Sequence, residues 1–348
     1  MLLETLPFEL PPQAIHLLLG ALLGLAFGVA AQISRFCLRR AIAGDGGVDQ
    51  AALSVWLLAL ATAIGAVAVA RGMGLLDLGD HRYLASDVPV LAIALGGLAF
   101  GIGMVLTRGC MSRLTVLSAT GNLRALTVIA VFVVVAHATL KGVLAPLRTT
   151  LGAVGYDFGI GSLAVLPGVV PAVVALLLAA AVVLARRSGA RPLHLAMGVV
   201  IGLVVVLGWS GTSVLLMDEF DPLPVQSLAF TLPWTDTLFY VIASTAVPAG
   251  FGVGVIGGVL AGSFLSAALR GELALQSFET PVQTLRYLAG AVLMGAGGVL
   301  AGGCTIGAGL SGSASLGISA LLALGFIVLG AVAARGFLVP RGVGVPAA

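Results

Sequence analysis

The sequence predicts an all-α polytopic membrane protein. About nine transmembrane helices are expected, with two Cys-bearing re-entrant or broken-helix segments related by a pseudo-inverted repeat. Three observations predict this: a large excess of apolar over charged residues, apolar stretches of membrane-spanning length, and basic residues gathered in alternate loops.

Hydrophobic residues make up 59% of the 348 and charged residues 9%, against roughly 45–50% and about 25% in soluble domains. So few charges would not keep so apolar a chain in water. The net charge of +3 is too small to point to nucleic acid. Glycine, at 49 residues, weakens soluble helices but lets membrane helices approach closely. The three cysteines, Cys37, Cys110 and Cys304, lie far apart and form no CxxC, which argues against a disulfide framework or a zinc site. His16, His81, His137 and His194 show no ligand spacing. No metal, cofactor or catalytic residue is expected, and the membrane enzyme or redox-protein reading is the less favoured alternative.

A helix needs about 20 apolar residues to cross a bilayer. Nine segments qualify: Ile15–Ile33, Ala51–Ala70, Pro89–Leu106, Ala125–Leu140, Leu163–Ala185, Leu193–Trp209, Leu238–Gly262, Thr284–Leu300 and Leu316–Ala334. Prolines weaken two boundaries, Pro167 and Pro171 in the fifth segment and Pro248 in the seventh. One membrane domain, 1–348, is expected, with a first repeat half at 14–160, connecting spans at 161–237 and a second half at 238–340. Met1–Pro12 carries two Glu and no basic residue, so no cleavable signal peptide is expected.

Basic residues follow every odd-numbered span: Arg35, Arg39 and Arg40; Arg108, Arg113 and Arg124; Arg186, Arg187 and Arg191; Arg270 and Arg286; Arg335 and Arg341. Short loops rich in arginine stay in the cytoplasm. The other loops carry acid, at Asp77, Asp80 and Asp87 and at Asp218, Glu219, Asp221 and Asp236. The expectation is a bacterial inner-membrane protein with its N-terminus periplasmic and its C-terminus cytoplasmic. Arg35, Arg39, Arg40, Arg113 and Arg124 are read mainly as topology determinants.

Two stretches repeat: Gly101-Ile-Gly-Met-Val-Leu-Thr-Arg-Gly-Cys110 and Gly295-Ala-Gly-Gly-Val-Leu-Ala-Gly-Gly-Cys304. They end spans expected to run in opposite directions, the pattern of inverted-repeat transporters. A weaker match joins Gly20, Gly24 and Gly28 to Gly250, Gly254 and Gly258. Those spans are expected to run parallel. The match is either Gly-x3-Gly packing, the preferred reading, or a sign that Phe264–Ala274 partly re-enters the membrane.

Small polar residues follow both repeated cysteines. Thr305 to Ser315 is too rich in Gly and Ser to face lipid, and irregular backbone at membrane depth must be buried in protein or line a cavity. Residues 108–121 and 301–315 are therefore read as helix breaks or re-entrant turns, whose free N–H groups suit an anion. All three cysteines end an apolar span. A thiol is commonly only a small buried apolar group, but beside Arg or a helix N-terminus it gains reactivity and hydrogen-bonding power. Arg108, inside the second motif, is the arginine expected to neutralise an anion. Lys141 is read as a snorkelling anchor.

At these residues the chain resembles the YeeE/YedE family of sulfur-compound transporters. The pieces are Ser34-Arg35-Phe36-Cys37-Leu38-Arg39-Arg40-Ala41; Thr107-Arg108-Gly109-Cys110-Met111-Ser112-Arg113 with Gly121-Asn122-Leu123-Arg124; and Leu300-Ala301-Gly302-Gly303-Cys304-Thr305-Ile306-Gly307 with Gly309-Leu310-Ser311-Gly312. They span roughly 20–335, and the third is the most specific. The resemblance implies thiosulfate uptake through a pore in which Cys37, Cys110 and Cys304 contact the ion in relay. Arg108, Gly109, Gly302, Gly303 and Thr305 would line it. It also implies a cytoplasmic sulfur-carrier partner of the TusA type, beside membrane lipid. Arg108 in the second motif against Gly302 in the third is an asymmetry that suggests altered pore chemistry. Another sulfur or selenium species is the alternative substrate.

Overall fold

The computed structural model describes residues 11–44, 46–79, 81–215 and 224–338. The expectations for Met1–Leu10, Asp80, Asp218, Glu219, Asp221 and Arg341 lie outside the described residues. The helices in chain order are α1 (Pro12–Ser34), α2 (Leu38–Ala43), α3 (Gln50–Gly72), α4 (Val90–Leu106), α5 (Met111–Ala119), α6 (Leu123–Lys141), α7 (Ala145–Gly152), α8 (Val169–Ser188), α9 (Pro192–Ser210), α10 (Thr231–Ile242), α11 (Phe251–Leu269), α12 (Pro281–Leu300) and α13 (Ile318–Leu338). The strands β1 (Asp87–Val88) and β2 (Tyr156–Asp157) pair antiparallel in a loop layer.

Among the described residues, eight helical stretches are long and apolar enough to cross a membrane. They carry α1, α3, α4, α6, α8, α9, α11 and α13. Helix α12 matches them in length but carries Gln283 and Arg286 and is not among the eight. It packs between α4 and α6.

The expected seventh span is corrected. Helix α10 ends at Ile242, α11 begins at Phe251, and non-helical backbone at 243–250 includes Pro248. At 12 residues, α10 covers about 18 Å, short of the ~30 Å hydrocarbon core. The extended chain before it is tied inside the bundle, where Ser227 Oγ donates to Val205 O (2.7 Å) and Ser311 Oγ to Leu228 O (2.6 Å). Residues 224–242 thus form a further dipping segment.

Glycines set the helix packing. A Cβ on Gly20, Gly24 or Gly28 would strike the backbone of Phe251, Val255 or Val259, and one on Gly254, Gly258 or Gly262 would strike Leu17, Ala21 or Leu25. Both series rise together along α1 and α11, so the two helices are parallel and in direct contact. The weaker glycine match is a packing interface, as small residues make in membranes. Helices α4 and α12 pack antiparallel, with Gly96 against Gly297 and Gly103 against Gly290.

The loops divide between two faces. On one, Gln32 Nε2 donates to Glu272 (2.9 Å), Gly47 lies against Arg335, and Gly121 and Asn122 are tied to Ala274 and Gln276. This basic face gathers the loops and helix ends that carry Arg35, Arg40, Arg124, Arg270 and Arg335. On the opposite face, Tyr83, Gly161, Ser162 and Leu316 interlock.

Candidate functional site

Each cysteine sits behind the same backbone corner. Arg35 (φ 52°), Arg108 (φ 57°) and Gly302 (φ 74°) all adopt left-handed backbone two residues before a cysteine. The corner stops the incoming helix, because a left-handed residue breaks the run of i→i−4 bonds and caps the last carbonyls. Arg35 N–H closes α1 on Ala31 O. The chain then re-enters helix, with Cys37 capping α2 and Cys110 capping α5, while Cys304 stands just before a π-helical turn at Gly307–Gly312 and accepts from Ala308 N–H through its carbonyl. Gly307 N–H donates to Cys304 Sγ at 3.4 Å.

The corners bring the thiols together. Cys37 and Cys110 lie within hydrogen-bonding reach of each other, and Cys110 Sγ is also 3.3 Å from Ser112 Oγ. The Thr305 hydroxyl, otherwise without a partner, faces Cys110. The turn that carries Cys304 therefore meets the other two cysteines at Cys110. All three are free and buried. Residues 303–317 are buried throughout, so this irregular backbone is sheltered from lipid as membrane depth requires.

The other expected site residues divide. Gly109 and Gly303 make the close turns. Thr107 Oγ1 donates to Gly109 O (3.0 Å), while a Cβ on Gly303 would sit 2.7 Å from Ala308 N and 2.9 Å from Tyr83 Oη. Gly302 O accepts from Tyr83 Oη at 3.0 Å. Arg108 is not at the thiols. Its side chain is exposed, and its distinctive feature is its backbone. The Arg108/Gly302 asymmetry is thus two residues filling one left-handed position, which costs a non-glycine residue about 1–2 kcal/mol.

Sequence reasoning missed three groups. Tyr83, from the loop before α4, covers the Cys304 turn. His81 stacks between Tyr83 and Trp209, with ring centroids 5.0 and 4.9 Å away. Trp209 Nε1 donates to Ser311 O (3.1 Å), and Trp234 Nε1 on α10 donates to Thr115 Oγ1 on α5 (2.8 Å). The third is Arg113, three residues after Cys110 and within electrostatic reach of both Cys37 and Cys110. The i to i+3 spacing from the cap cysteine is a signal that points to it, since such residues share a helix face.

A multi-pass α-helical membrane protein whose three cysteine-bearing turns are buried inside the helix bundle is the class that the fold and this geometry define. The chain belongs to the sulphur transport family, whose model matches residues 27–333. It is 26% identical over 339 residues to the thiosulfate transporter TsuA of Escherichia coli (strain K12), covering 90% of this chain and 92% of that protein. It is 28% identical over 334 residues to the thiosulfate transporter TsuA of Spirochaeta thermophila, covering 89% and 96%. Membership in a transport family, with relatives named as transporters, agrees with the expectation of a transporter.

Proposed function

We propose that this protein takes up thiosulfate, or a closely related small sulfur anion, across a bacterial inner membrane. The convergence of the three cysteine turns on Cys110 carries this reading. The two relatives named as thiosulfate transporters support the choice of substrate. The anion enters past Tyr83 and Cys304, passes Thr305 and Cys110, and leaves past Cys37. The basic face is cytoplasmic, which sets the N-terminus periplasmic and the C-terminus cytoplasmic, and it is where a sulfur-carrier protein would receive the product.

A dianion pays heavily to enter hydrocarbon. First-turn N–H groups of α5, which have no intrahelical acceptor, replace part of its hydration, and the thiols donate weak hydrogen bonds to its terminal sulfur. Arg108 serves by its backbone, holding the corner that aims Cys110. In a host lacking its own thiosulfate uptake, the wild-type gene is expected to support growth on thiosulfate as sole sulfur source. Cys304→Ala at equal expression is expected to abolish that growth; unimpaired growth overturns the relay.

A further inference from the structure

The cysteine pair has a partly buried cation beside it, Arg113, the last residue of the second cysteine motif. Arg113 lies one turn into α5 from Cys110. Its Nη1 is fully buried and has no hydrogen-bond partner. The ionisable groups that act on it most are Cys37 and Cys110 together with two further cations, Arg35 and Arg40.

Arg40 makes the contrast. It stands at the same place after Cys37, three residues on, but its Nε donates to the Asp49 carboxylate at 2.7 Å. Arg270 likewise holds Glu272 at 3.0 Å. Arg113 holds neither carboxylate. A buried charge without a counter-ion is costly, and neighbouring like charges raise that cost. An anion at the thiols offsets it. A guanidinium presents a planar fork that binds oxyanions through two parallel N–H donors.

We infer that Arg113, Cys37 and Cys110 form an anion subsite at the basic-face end of the path. Its ligand class is a tetrahedral sulfur oxyanion carrying a terminal sulfur. The oxygens rest on the guanidinium and the terminal sulfur on the thiols. The inference rests on the proposed transport of such an anion, and it makes Arg113 a residue that sets affinity for the oxyanion end.

The test uses full-length protein in liposomes and radiolabelled thiosulfate over a concentration series. Arg113→Gln is expected to raise KM by at least about tenfold, the effect of losing a hydrogen bond to a charged group. Arg113→Lys keeps the charge but loses the fork, and falls between. Arg187→Gln, exposed at the end of α8, is the control expected to match wild type. A KM for Arg113→Gln within about twofold of wild type overturns the subsite. Where Arg113→Gln is not monodisperse in detergent, Arg113→Lys decides: a raised KM supports the fork and a wild-type KM overturns it. Wild-type liposomes that accumulate no thiosulfate refute the transport reading. Calorimetric titration of thiosulfate into wild type and Arg113→Lys then still judges the subsite, with weaker binding to the variant expected and equal binding overturning it.

Discussion

The two repeated cysteine segments begin alike and end differently. After Cys110 the chain forms α5, a regular helix whose backbone bonds beyond the first turn run within itself. After Cys304 it forms a short π-helical turn and a 3-10 turn rich in Gly and Ser. That second stretch is held from outside by Tyr83, by Trp209 and by Ser162, whose Oγ donates to Ser315 O at 2.7 Å. The difference teaches that one corner motif serves two supports. The basic-face half is stiffened locally, whereas the opposite half depends on tertiary contacts.

The sharpest way to break this comparison is to add one methyl to each half. A Cβ on Gly303 meets the Ala308 backbone at 2.7 Å, while one on Gly109 meets only the Leu114 side chain at 3.3 Å. Gly303→Ala should destabilise by about 1–3 kcal/mol, the range for overpacking, and Gly109→Ala by less. Thermal unfolding in detergent reads both, and equal losses would undo the distinction.

A smaller effect tests the shared corner. Arg108→Gly removes the left-handed penalty of about 1–2 kcal/mol, less the entropy a glycine costs, so the variant should be as stable as wild type or slightly more so. Gly302→Ala meets no atom within 4 Å, so it should lose about 1 kcal/mol through φ alone. A marked loss of stability in Arg108→Gly would mean that the Arg108 side chain, not its backbone, holds the corner.

A separate test is pH dependence on the Tyr83 side. Burial, then the nearby Arg82 charge, lowers the His81 pKa from 6.5 to about 4. The unfolded chain therefore binds the proton first. Stability from His81 is complete above pH 6.5 and lost as pH falls toward 4. His81→Gln should flatten that part of the stability–pH curve; an unchanged slope would contradict the assignment.

The apolar spans, the basic face and the cysteine corners were legible in the sequence because each leaves a local trace: hydropathy, arginine in alternate loops, and Gly or Arg two residues before Cys. The Gly20, Gly24 and Gly28 spacing also announced its packing. The break between α10 and α11 was legible only as a weak boundary at Pro248. Ala243, Ala246, Val247 and Ala249 keep the hydropathy up around Ser244 and Thr245, so a sliding average runs over the interruption. The exposure of Arg108 was hidden for a related reason. Adjacency in sequence favoured Arg108, but a left-handed corner resets the direction of the chain. The arginine near the thiols is therefore the one a helical turn beyond. Tyr83 carried no signal, because Gly302, whose carbonyl its hydroxyl holds, lies more than 200 residues away.

Cys110 is where the three cysteine turns meet, lying beside Cys37 on one side and Thr305 on the other. The most direct test is uptake of radiolabelled thiosulfate by proteoliposomes carrying wild type or Cys110→Ala, matched for folded protein. Wild type should show saturable accumulation, and the variant should lose nearly all of it. Wild-type rates in Cys110→Ala would contradict this.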